Sequence, residues 1–65
     1  MKSFSSREII RIITEDGWNH VATAGDHHHF KHPTKQGKVT VTHPLKDIPI
    51  KTVKSILKQA GITIQ

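Results

Sequence analysis

The sequence contains no cysteine, which excludes a disulfide staple, a thiolate metal site and a thiol nucleophile, and fits a reducing compartment. No apolar run reaches transmembrane length, and the N-terminus lacks the h-region and cleavage site of a secretory signal. A cytoplasmic protein with no membrane partner is therefore expected. Internal repeats and low-complexity segments are absent as well. At 65 residues the chain has no room for a second core, so one domain over residues 1–65 is expected. A domain of this size buries only roughly 60% of its unfolded surface. Negative charge is missing from most of the chain. Residues 1–26 carry Lys2, Arg7 and Arg11 against Glu8, Glu15, Asp16 and Asp26, a net charge of −1. From residue 27 onward Asp47 is the lone acid against seven lysines, a net charge of +6. Such a basic half, unless it is merely a solvated surface, predicts a polyanionic partner.

What the chain has in quantity is histidine, six in all, with four of them between Gly25 and Pro33. As a strand, Gly25-Asp26-His27-His28-His29-Phe30-Lys31-His32-Pro33 alternates its side chains between two sheet faces. His27, His29 and Lys31 share one face; His28, Phe30 and His32 share the other. Phe30 is the core anchor, so the His27 face is the open one. Imidazole beside a cation on an open face suits acid–base work on an anionic substrate.

The flanking segments predict the scaffold. Ser5 and Glu8 have capping-box spacing, Phe4 and Ile9 occupy the staple positions, and Ile9, Ile12 and Ile13 form an apolar stripe. Gly17 stops that helix, which is expected over residues 6–16. Trp18 to Ala24 reads as a strand with Val21 facing the core, and Trp18 as a plug beneath the helix. Gly25-Asp26 is a hairpin turn and 33–37 a second turn. Lys38 to Thr42 is a strand with Val39 and Val41 inward. Pro49 is placed as the first residue of a second helix, with Ile50, Val53, Ile56, Leu57 and Ala60 on its core face and Gly61 as its stop. The tail from Ile62 is too short to assign. The order helix, strand, strand, strand, helix predicts a two-layer α+β fold, α-β-β-β-α: a three-stranded antiparallel sheet with both helices on one face. That is the order of the double-stranded-RNA-binding fold, and it leaves the His27 face bare.

In the same order, Gly25-Asp26-His27-His28-His29-Phe30, His43-Pro44-Leu45-Lys46-Asp47-Ile48-Pro49 and Leu57-Lys58-Gln59-Ala60-Gly61 resemble the HicA toxins. These are small mRNA interferases of HicA–HicB toxin–antitoxin pairs, and the likeness extends from Ser5 to Gly61. The resemblance implies a double-stranded-RNA-binding-like fold, ribonuclease activity on mRNA, a bacterial or archaeal cytoplasm, and a HicB-type antitoxin that covers the active face. It also implies that the essential histidine is His27. Two positions depart from the family pattern. Asp26 stands where a serine or other small residue is common, and Lys51 stands where a glycine often opens the second helix.

The expected reaction is metal-independent endoribonuclease cleavage, in which the substrate's own 2′-hydroxyl attacks the adjacent phosphorus. His27 moves a proton; an unperturbed imidazole titrates near about 6.5, close to working pH. His29, Lys31, Lys38 and Lys46 are the candidate RNA-binding residues, with His29 auxiliary on the His27 face. His28 and His32 are read as partly buried and hydrogen-bonded to backbone, and His43 as a packing or turn residue. Three consecutive histidines invite a metal, but no acid or thiol is placed to complete a site, so neither metal nor cofactor is expected. The competing reading is a non-catalytic RNA-binding module of the same fold, in which Lys51 and Lys54 contact RNA by shape.

Overall fold

The computed structural model describes residues 3–63. Its elements are α1 (Ser6–Glu15), β1 (Asn19–Ala24), β2 (His27–Lys31), β3 (Val39–Thr42) and α2 (Ile50–Gln59). This is the expected α-β-β-β-α order, and the strands form one antiparallel sheet in the order β1-β2-β3. Ile64 and Gln65 of the tail lie outside the described residues.

Helix α1 begins where its chemistry dictates. Ser5 caps it in an extended conformation, its hydroxyl accepting from the Glu8 amide while the Glu8 carboxylate accepts from the Ser5 amide. At the other end the Trp18 amide bonds to Ile13 O and the Gly17 amide to Thr14 O, a Schellman closure. Gly17 adopts φ +109°, and a Cβ there would come within 2.8 Å of His32 Nε2, so both conformation and space require glycine. Helix α2 ends in the same closure, with Ile62 N on Leu57 O and Gly61 N on Lys58 O. Pro49 is the residue just before α2 rather than its first.

Both helices pack on the sheet face that carries Phe30, Val39 and Val41. Ile9 and Ile13 from α1, and Val53, Ile56 and Leu57 from α2, complete that core together with Trp18, Ile48 and Ala60. Trp18 is fully buried and donates from Nε1 to Ala60 O at 3.1 Å, linking the end of α1 to the end of α2. His32 lies against its ring edge. Nδ1 of His32 accepts the amides of Thr34 and Lys35, which leaves the proton on Nε2 to donate to Asp16 O at 2.9 Å.

Two apolar side chains are not where their sequence positions place them. Val21 is 54% exposed instead of facing the core, because a bulge lies between His20 and Ala22 and the extra residue drops out of the alternation. Ile50 is 41% exposed at the first position of α2, ahead of the Val53, Ile56 and Leu57 stripe that is buried.

Candidate active site

The β1–β2 hairpin turns on Gly25 and Asp26. Gly25 has φ +62° and Asp26 does not share the positive φ, which is the two-residue geometry with glycine first. The His43 amide donates to Asp26 O at 2.8 Å, so the turn is tied to the end of β3.

Residues directly opposite in an antiparallel ladder point to one face. The register places Ala24, His27 and Thr42 on one rung, Ala22, His29 and Thr40 on the next, and Asn19 opposite Lys31 beyond them. These side chains form the outer face, away from both helices. Small residues on β1 and hydroxyls on β3 flank the two imidazoles.

His27 stands at the hairpin end of this face with 57% of its side chain exposed. Its Nε2 is 3.6 Å from Asp26 Oδ1, too long for a direct hydrogen bond but close enough for the carboxylate to act as a counter-charge. His29 is half-buried, with Nδ1 2.9 Å from Thr40 Oγ1. Desolvation lowers the pKa of His29 from its ordinary value; the charges of Lys38 and His27, and then His20 and His28, act in the same direction.

The structure brings His27, His29 and Lys31 onto one face, and Lys38 close enough for its charge to act on His29. Lys46 is elsewhere: exposed in the connector after β3, it lines a depression of about 480 Å³ with Ser5, Arg7 and His43 at the start of α1. On the opposite face His20, His28 and His43 form a row, with ring centroids 5.3 and 5.2 Å apart. The row continues to Ser6, whose Oγ is 2.6 Å from His43 Nδ1. Backbone hydrogen bonding holds for His32, as expected, but His28 is fixed by ring packing and a long contact to Thr23. Among the described residues no group of three or more histidines or acids is arranged to hold a metal ion, and no helix is long and apolar enough to cross a membrane.

Thr40 is the site residue that sequence reasoning missed. Alternation along Val39-Thr40-Val41-Thr42 already turned it outward, but its pairing with His29 is a property of register, which no local pattern states.

A protein-family model described as the HicA toxin of bacterial toxin-antitoxin systems matches residues 6–62. The chain belongs to the HicA toxin family. That membership carries a toxin role and an antitoxin partner. Among curated proteins no significant match is found. In this HicA toxin the matched span includes both helices, all three strands and every candidate site residue.

Proposed function

We propose that this HicA toxin is an mRNA interferase, a metal-independent endoribonuclease in which His27 serves as an acid–base residue and a HicB-type antitoxin neutralises it. One observation carries the reading: His27 is exposed on a sheet face that neither helix covers, at the end of a hairpin tied down by the His43 amide. An imidazole so placed is accessible to a polymeric substrate and needs no cavity. Lys31 on the same face supplies positive charge for the phosphates. The reaction needs no external nucleophile, because the ribose 2′-hydroxyl supplies it. An antitoxin seated on the outer face would exclude RNA from His27, making binding and inhibition one event.

The test is induced expression of wild type and His27→Ala, scored by growth and transcript integrity, with co-expression of the antitoxin encoded beside the gene. Wild type should arrest growth and cleave transcripts, the partner should reverse both, and His27→Ala should do neither. A folded His27→Ala protein that still cleaves RNA would overturn the assignment. The non-catalytic reading predicts instead that the variant keeps full toxicity with transcripts intact.

A further inference from the structure

We infer that His29 is the second acid–base group of this site, the neutral base that takes the 2′-hydroxyl proton while His27 supplies a proton to the leaving oxygen. The inference rests on the ribonuclease reading above and divides its chemistry between two side chains. Positions two apart on a strand face are separated by roughly 6.6 Å, enough to place one phosphodiester between two imidazoles. Ala22 and Ala24 lie beside the two rings on one side and Thr40 and Thr42 on the other, with His27 exposed and His29 half-buried.

The surroundings of the two rings differ in the sense this division requires. His27 has a carboxylate beside it, Asp26 Oδ1 at 3.6 Å from Nε2, to balance the protonated form. His29 has the opposite neighbours. Thr40 faces it from β3, Lys38 acts on it from the segment before β3, and His20 from β1; His27, His28 and Lys31 lie on its own strand. Desolvation, and then the charges of Lys38, His27, His20 and His28, keep it neutral to lower pH than an ordinary histidine. The bond between Nδ1 and Thr40 Oγ1 at 2.9 Å fixes the ring. With the Nδ1 proton donated to Thr40, the lone pair sits on Nε2, the atom that must receive a proton.

The step balances without any co-reactant. The 2′-oxygen bonds to phosphorus as its proton passes to His29 Nε2. The bond from phosphorus to O5′ breaks, and the His27 imidazolium protonates O5′. The products are a 2′,3′-cyclic phosphate end and a 5′-hydroxyl end, and proton exchange with water resets both rings.

The experiment measures cleavage of a long in-vitro transcript by the full chain, with end-group analysis and rate against pH. His29→Gln should slow cleavage by about 10²-fold or more, while amide NMR spectra confirm the fold. Thr40→Val should also slow it, with recovery in Thr40→Ser. Lys38→Gln removes a charge that opposes protonation, so the acid limb of the rate profile should move to higher pH. A purely structural His29 would leave that limb in place. ¹⁵N shifts of His29 should report the Nδ1–H tautomer. Wild-type cleavage by His29→Gln, or an acid limb unmoved in Lys38→Gln, overturns the inference. If His27→Ala is dead in that case, the ribonuclease reading with His27 as its acid–base residue survives. If His27→Ala also cleaves normally, that assignment falls as well, and a wild-type chain that leaves the transcript intact removes the ribonuclease reading itself.

Discussion

Lys35 Nζ lies 2.6 Å from Asp16 Oδ2 and donates as well to Ala60 O at 3.0 Å and Gly61 O at 3.3 Å. One ammonium from the β2–β3 loop thus closes the C-terminal ends of both helices, where unpaired carbonyls concentrate partial negative charge. The hydrogen bond from Lys35 lowers the Asp16 pKa from its ordinary value, outweighing an opposing contribution from desolvation, with the charges of Lys35 and His32 adding to it. A carboxyl whose pKa is lower folded than unfolded stabilises the protein above its unfolded pKa and ceases to do so as pH falls through the folded one. Thermal midpoints should therefore drop as pH falls below about 4. In Lys35→Gln the midpoint should be lower at neutral pH and its acid dependence shallower. Melts followed by circular dichroism across that range check this; parallel curves for the two proteins would show that the pair does not form in solution.

How far this arrangement is written in local sequence varies by element. The capping box at Ser5 and Glu8, the glycine stops at Gly17 and Gly61, and the inward pair Val39 and Val41 were all legible, because each depends on residues a few positions apart. The division of His27, His29 and Lys31 from His28, Phe30 and His32 was legible for the same reason, since strand alternation is local. Strand β1 was legible in its place along the chain but not in its facing. It is an edge strand with every residue exposed, so it has no apolar alternation to read, and the bulge at Val21 leaves no local signature. Lys35 carried no signal of its own in the turn at 33–37, because its partners are 19, 25 and 26 residues away. Thr40 escaped notice for a related reason, its partner being set by how two strands align.

The lysines that looked equivalent in sequence should separate by face in RNA binding. Lys31 shares the outer face with His27, whereas Lys46 sits at the start of α1. Each phosphate contact to single-stranded RNA contributes roughly −0.7 to the slope of log K against log salt. Lys31→Gln should make that slope shallower by roughly 0.7, and Lys46→Gln should leave it unchanged. Titrations with labelled RNA at several salt concentrations, made in a His27→Ala background so that the proposed cleavage does not interfere, measure both. Equal losses for the two variants would mean that RNA is not confined to the outer face.

Ser6 is the buried polar residue at the other end of the histidine row, and its hydroxyl joins the start of α1 to the connector after β3. Its oxygen accepts the Leu45 amide at 2.8 Å, lies 2.6 Å from His43 Nδ1 and reaches Leu45 O at 3.2 Å, while the Ser6 amide donates to Leu45 O at 2.9 Å. Ser6→Ala preserves the helix and that last backbone bond but strands the Leu45 amide. Leaving a buried donor unpaired costs about 1–3 kcal/mol, and the partial shielding of this amide places the cost near about 1. In a domain of this length that is a fall of roughly 4–8 °C in Tm. Hydrogen exchange at Leu45 should accelerate along with the fall, whereas exchange within the β1–β2 hairpin should not. Unchanged protection at Leu45 would place the stability of the connector in the Phe4–Ile48 bridge instead of in the Ser6 hydroxyl.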